Sequence, residues 1–357
     1  MLEIMQHCFG KDNSGGPVKA FHRLIKYSSL KFSVIRQLDG AGGLDIQLIK
    51  EFIKEIKKEK PLLIHIRGLG NEGFHAALAA KIAGVPKILV SIHGTHRDLV
   101  NDLHPIKRWI MVNILEMITL NIATDIVTVC EYANKRKFLS PYKNKLRNPI
   151  PNGVPIPKLL NKNEITELRK QLGIDNTEIV GICVSRITLE KGYLVLAEAL
   201  KKIDREDNKF TLLIVGDGDE DNSIKVSYSK LKYIKVRFIG YVESVNDYLS
   251  ISNFFIFPTF HENLSNALIE AMSYQLPIIA TSVGGNTEVV EKGGGVLTRA
   301  NDVDSLASSI KEFVNDPDFI SEIGIKARNN IIDNYSVAKM VKSWERLYIN
   351  IIEEINE

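Results

Sequence analysis

Cysteine is scarce in this 357-residue chain. Its three copies, Cys8, Cys130 and Cys183, are too few and too widely spaced for a disulfide framework or a zinc site. A reducing compartment and small core positions are expected for them. Long apolar runs are also missing. The longest, IMVNILEMITLNIA, is broken by Asn and Glu and falls short of the roughly 20 residues that span a bilayer. The N-terminus lacks a basic-then-apolar leader, so no export signal is expected. There is no internal repeat and no low-complexity tract. What is present is ordinary for a globular protein with a sizeable core: 45% hydrophobic and 25% charged residues. The length suggests two domains.

The net charge of +3 hides an asymmetry. Residues 1–155 carry 23 Lys and Arg against 13 Asp and Glu, a balance of +10, and the remainder balances at −7. A basic half attracts an anionic partner: nucleic acid, a phospholipid surface or a phosphorylated substrate. Nucleic acid is disfavoured, because zinc-finger spacing and a strand of stacking aromatics are both absent. The bland alternative is a set of solvated surface lysines.

Short apolar runs alternate with amphipathic stretches along the whole chain. MLEIMQHC, KFSVIRQL, PLLIHI, KILVSIH and DIVTVC read as buried parallel strands. After the Pro-rich stretch NPIPNGVPIPK come EIVGICVS, FTLLIVG, KVRFIG, NFFIFPT, PIIATS and GGVLT. Helical patterns lie between, such as GFHAALAAKIAG, GYLVLAEALKKI and SNALIEAMSYQ. Strands alternating with helices imply right-handed crossovers and parallel sheets. Two such series predict two doubly wound α/β domains facing a cleft. Their ligands are expected at the carboxyl ends of the strands. The final stretch, VAKMVKSWERLYINIIEEI, reads as a long amphipathic helix.

One motif is a decoy. Gly68, Gly70 and Gly73 match the dinucleotide fingerprint G-x-G-x-x-G after a strand. Glu72 would bring a carboxylate to the pyrophosphate, however, and the next strand ends on His93 rather than on a ribose-binding acid. A tight turn that needs glycine is the simpler explanation.

The stronger signal is spread over loops in the second half. In SRITLEKG, Arg186 and Lys191 flank a turn ending on Gly192, and together they can offset a diphosphate. In VGDGDED, Gly216 and Gly218 permit close approach to the backbone. Asp217 and Asp219 there form a D-x-D pair, the rival reading of a divalent-metal site. In FIGYVES, Gly240 ends a strand, and Tyr241 and Val242 are placed to line a base pocket. In PTFHENLSNALIEAM, Glu262 stands in a loop and Glu270 inside a helix starting near Ser265 or Asn266. The N–H groups of Leu264, Ser265 and Asn266 suit an anion or a sugar oxygen. A continuous helix would part the two glutamates by about 12 Å, too far for a hydrolytic acid–base pair. They are therefore expected to accept hydrogen bonds from different hydroxyls, the plainer alternative being two exposed helix carboxylates. In GGNTE, Gly284 and Gly285 follow a strand and Glu288 is expected to open a helix, the plainer reading being a glycine-rich strand-to-helix turn.

SRITLEKG, VGDG, FIG, ENLSNALIEAM and GGNTE, in that order, resemble the family-four retaining glycosyltransferases of GT-B fold. That family's pattern runs roughly G-R-L-x-x-E-K-G, V-G-x-G, F-x-G, E-G-x(6)-E-A and G-G-x-x-E. SGGP at 14–17, ILVSIHG at 88–94 and PNGV at 151–154 are weaker matches. The resemblance implies two Rossmann-like domains: an acceptor-binding one at 1–155, rejoined by a helix at about 336–357, and a nucleotide-sugar-binding one at 156–335. It implies that Arg186 and Lys191 hold the donor diphosphate, that Glu262 contacts the transferred sugar and that Glu270 contacts the ribose. Gly15 and Gly16 would belong to a loop closing over the phosphates. His93 would lie near the reacting sugar, or else be a buried structural histidine. Asn263 departs from the family's glycine, and this bears on donor identity.

The activity so implied is retaining transfer of a sugar from a nucleoside diphosphate to an acceptor hydroxyl, with the nucleotide sugar as substrate and neither metal nor other cofactor. A glycan or lipid-linked acceptor in surface polysaccharide synthesis fits the basic N-terminal half. Lys107, Arg108, Trp109 and Lys135–Arg136–Lys137 are the candidates for contact with an anionic cytoplasmic membrane face. No nucleic acid is expected. The rivals are a nucleotide-sugar epimerase or hydrolase of the same fold, a D-x-D metal-dependent transferase and a non-catalytic binding protein.

Overall fold

A computed structural model describes residues 3–11, 15–41, 43–95, 97–98, 104–218 and 222–357, with all these side chains except that of residue 356. Ser14 of the SGGP stretch and Asp219 of the D-x-D pair lie outside the described residues. The chain forms two compact units, Met1–Gly153 with Val337–Glu357, and Val154–Ser336.

In the first unit, β1 (Ile4–Phe9), β2 (Phe32–Gln37), β3 (Leu63–Arg67), β4 (Lys87–Ile92) and β5 (Asp125–Thr128) form a sheet ordered β2-β1-β3-β4-β5, every pair parallel. In the second, β6 (Val180–Val184), β7 (Thr211–Val215), β8 (Lys235–Gly240), β9 (Phe254–Phe257), β10 (Ile278–Thr281) and β11 (Gly295–Thr298) are ordered β11-β10-β9-β6-β7-β8, again parallel. The inner strands are continuous apolar runs because helices cover both their faces: LIHIR, TLLIV and FFIF are buried at every position. Strand order reverses between β1 and β3 in one sheet and between β6 and β9 in the other. Ligands of doubly wound folds collect outside the carboxyl ends at such switch points.

The helix Val337–Asn356 packs on the first sheet. Trp344, Tyr348, Ile351 and Ile352 join Ile4, Leu63, Leu89 and Val127 in one buried cluster. The Tyr348 hydroxyl accepts from Gln6 Nε2 at 3.1 Å and lies 2.6 Å from His65 Nδ1. Arg67 is buried beside it, donating to the His7 carbonyl and to Gln6 Oε1, both at 3.0 Å. The glycines of the decoy turn also have a local reason. A Cβ on Gly73 would sit 2.2 Å from the Gly68 carbonyl, so the turn closes on itself.

Burial, then the Arg67 charge, pulls His7 down to about 3, and the same two causes hold His65 well below its ordinary 6.5. Both imidazoles are therefore neutral in the fold at neutral pH. The unfolded chain protonates them below about 6.5 while the folded unit refuses the protons. Their contribution is complete above that pH and drains away as pH falls from there, for His7 toward 3. Calorimetry between pH 7 and pH 5, above the range of ordinary carboxylates, is expected to show the melting temperature of the first unit falling. A flat profile would assign the acid sensitivity to carboxylates alone.

Candidate active site

The loops after β6 and β9 flank the switch point of the second sheet, and they carry the predicted residues. The β6 loop runs through a short turn, Leu189–Lys191. Lys191 Nζ donates to Glu262 Oε2 across the two loops at 3.0 Å, with the side chains only 15% and 22% exposed. The ammonium also stands 5.5 Å from the Phe257 ring centre. Arg186 is exposed and reaches back to Glu190 at 3.4 Å. The Glu190 carbonyl accepts from Phe260 N at 2.9 Å and lies 3.3 Å from the Thr259 hydroxyl. Glu190 and Thr259 thus tie the two loops together, a role with no signature in the sequence.

The glycines of VGDG make room for the protein's own backbone rather than for a ligand. A Cβ on Gly216, at φ +137°, would lie 1.9 Å from the Ser185 carbonyl, and one on Gly218 would lie 2.4 Å from that of Ile187. Ile187 N donates to the Asp217 carbonyl at 2.7 Å, and Gly216 N to the Gly240 carbonyl at 2.9 Å. The close approach is that of the β6 loop, which fixes the backbone on either side of Arg186. Asp217 is exposed. Gly240 has φ +82°, Tyr241 is exposed and Val242 is half-buried.

After β9, the helix is Asn266–Ser273, and the Ser265 hydroxyl caps it by accepting from Leu268 N at 3.2 Å. The cap uses one lone pair of that hydroxyl and leaves its O–H able to donate. Asn263 and Leu264 are buried. Glu262 precedes the helix and Glu270 lies within it, so no continuous helix joins them and the 12 Å rise does not measure their separation. Gly284 packs under this loop: its Cβ would lie 1.7 Å from the Glu262 carbonyl. Gly285 N donates to the Asn263 carbonyl at 2.6 Å. Glu288 falls within the helix Gly284–Glu291 rather than at its start.

In the first unit, Gly15 and Gly16 begin the helix Gly15–Tyr27 after β1. His93 follows β4, with Nε2 3.3 Å from the Ser91 hydroxyl. Burial and Arg67 lower it to about 3, so it is a neutral imidazole.

Two family models match in tandem: "Glycosyl transferase 4-like" over residues 14–128 and "Glycosyl transferases group 1" over 164–334. Together the two models make the chain a member of this glycosyltransferase family. Among curated relatives, this glycosyltransferase is 28% identical to the UDP-Gal:alpha-D-GlcNAc-diphosphoundecaprenol alpha-1,3-galactosyltransferase of Escherichia coli, over 86% of this chain and 80% of that one. It is 26% identical to the capsular polysaccharide biosynthesis glycosyltransferase CapM of Staphylococcus aureus, over 87% and 82%. A glycosyltransferase from Rickettsia africae ESF-5 superposes with a TM-score of 0.79 at 22% identity, covering 98% of each chain. Anabaena HepE, solved with UDP and glucose, superposes at 0.76 and 18%, covering 97% and 99%. The fold is GT-B, with two parallel-sheet α/β domains.

Proposed function

We propose that this glycosyltransferase moves a sugar from a nucleoside diphosphate to an acceptor hydroxyl with retention at the anomeric carbon, using neither metal nor other cofactor. The observation that carries the reading is the Lys191–Glu262 contact, which joins a cation and a carboxylate at the switch point of the second sheet. On donor binding, Lys191 and Arg186 take the diphosphate, and Glu262 is released to accept from hydroxyls of the transferred sugar. Glu270 accepts from the ribose, and Tyr241 and Val242 flank the base. The roles of Gly15, Gly16 and His93 rest on the motif resemblance.

Cleavage of the bond between the anomeric carbon and the diphosphate oxygen leaves negative charge on the phosphate. The acceptor oxygen bonds to that carbon on the same face, and its proton passes to the departing phosphate oxygen. Cations already in place for this charge supply the largest catalytic contribution. The relatives named for lipid-linked and capsular glycans support a lipid-linked or polysaccharide acceptor, and the basic first half fits an anionic cytoplasmic membrane face.

The test is a thermal-stability screen of nucleoside diphosphates and nucleotide sugars in the presence of chelator. One nucleotide is expected to raise the melting temperature, since a ligand of the native state stabilises it in proportion to affinity. Stabilisation that appears only when manganese is restored would move the diphosphate to Asp217 and its D-x-D partner.

A further inference from the structure

Residues 105–122 run as one helical rod in three parts: Pro105–Ile110, a wider π turn over Met111–Leu115, and Glu116–Ile122. One side of the rod is buried through Met111, Glu116, Thr119 and Leu120. The other side carries Ile106, Trp109, Ile110, Ile114, Met117 and Ile118, each between 36% and 65% exposed. Isolated exposed apolar residues are ordinary, but six on one face of one rod are not.

The π turn keeps them on one face. Ile106, Ile110, Ile114 and Ile118 are spaced four apart, and on a 3.6-residue helix each such step leads by about 40°. Three steps would wind Ile118 well away from Ile106. The wider turn takes back much of that drift. The distortion is anchored rather than loose. Arg97 Nη2 donates to the Val112 carbonyl at 2.9 Å, inside the wide turn, while its Nε donates to the buried Glu116 carboxylate at 3.1 Å.

The exposed charges on the rod itself have one sign; beyond it, Asp98 is paired with Arg136 and Glu131 is exposed ahead of the lysines. Glu116 is the sole acid between residues 104 and 124, and it is buried against Arg97. Lys107 is exposed, and Lys145 Nζ caps the far end of the rod, donating to the carbonyls of Leu120 at 3.2 Å and Asn121 at 2.8 Å. Lys135, Lys137 and Lys143 are exposed on the segment that supplies that cap. Among the described residues, no helix is long and apolar enough to cross a membrane.

We infer that the rod 105–122 lies in the plane of an anionic lipid bilayer, with Trp109 and the isoleucine row entering the headgroup–acyl boundary and the neighbouring lysines meeting the lipid phosphates. An apolar stripe with a basic flank is the pattern that binds this boundary. The inference deepens the proposed use of a lipid-linked acceptor. It adds apolar insertion to electrostatic contact.

The test uses the full chain with vesicles of phosphatidylcholine, alone and mixed with phosphatidylglycerol. The protein is expected to sediment with the mixed vesicles, less so in high salt, and Trp109 emission should shift to the blue. The second tryptophan, Trp344, is already buried and serves as the silent reference. Ile110→Asp with Ile114→Asp changes exposed positions and should lower partition by at least about tenfold. Equal partition of wild type and variant, or an unshifted Trp109, would overturn the inference. So would a lipid-free dimer that the variant abolishes, since the stripe would then belong to a second copy. Both proteins are also screened with nucleoside diphosphates. Intact diphosphate stabilisation without vesicle binding refutes the surface and spares the transferase reading, and the reverse result refutes only the donor site.

Discussion

Replacing Lys191 with alanine is expected to lower sugar transfer at least about tenfold, equivalent to 1.4 kcal/mol of barrier. Two effects add. The departing diphosphate loses an ammonium held in a largely shielded position. The Glu262 carboxylate, now without its 3.0 Å partner, faces the phosphates as a like charge. A charge-assisted bond contributes about 1.5–3 kcal/mol, so tenfold is a lower bound. Lys191→Arg should restore only part of the rate, because a planar fork does not replace a point charge on a flexible stem. Lys191→Ala combined with Glu262→Gln should recover some donor binding relative to Lys191→Ala alone, since the stranded charge is gone. Steady-state kinetics with the donor identified by the stability screen measures all four proteins. Near-normal turnover in Lys191→Ala would remove the diphosphate clamp.

Gly284→Ala is the second large effect, and Gly240→Ala is its control. Both glycines have positive φ, +54° and +82°. A left-handed backbone costs a non-glycine residue about 1–2 kcal/mol at either place. They differ in space. The new methyl at Gly240 meets nothing within 4 Å, whereas at Gly284 it lands 1.7 Å from the Glu262 carbonyl, a backbone atom that cannot swing aside. The loop carrying Glu262 must shift bodily. Gly240→Ala should therefore lower the melting temperature of the second unit by a few degrees, about 2–4 °C per kcal/mol, with donor stabilisation retained. Gly284→Ala should lower it further and abolish stabilisation by the nucleoside diphosphate. Equal behaviour of the two variants would show that backbone strain, rather than the position of Glu262, governs both.

The strands were legible because each is a compact apolar run closed by glycine or polar residues. PLLIHI, FTLLIVG and NFFIFPT became β3, β7 and β9 with boundaries shifted by a residue or two. The helix ending on Gly84 and the helix Tyr193–Ile203 were readable from the same periodicity. What the chain's order conceals is adjacency between distant loops. Lys191 and Glu262 were each singled out, but their pairing across 71 positions follows from β6 and β9 being neighbours, which no local pattern states. Gly216 reads in sequence as making room for a ligand, and the Ser185 carbonyl fills that room. The Arg67 network was missed for the same reason: it joins β1, β3 and the last helix. In the rod 105–122, Lys107, Arg108 and Trp109 drew notice through charge, whereas the isoleucine row is masked by a repeat that a regular α-helix would wind apart.

The first unit is interrupted by the whole of the second, and its sheet is covered by Val337–Asn356. The ribosome reaches that helix about 180 residues after Gly153, roughly ten to forty seconds later at ordinary elongation speeds. For that interval the nascent N-terminal sheet has an uncovered face at Ile4, Leu63, Leu89 and Val127, while the continuous segment Val154–Ser336 has everything it needs to close. Vectorial synthesis therefore leaves the first-encoded sheet waiting for the last-encoded helix, and a chaperone surveying the nascent polypeptide would meet that sheet still open.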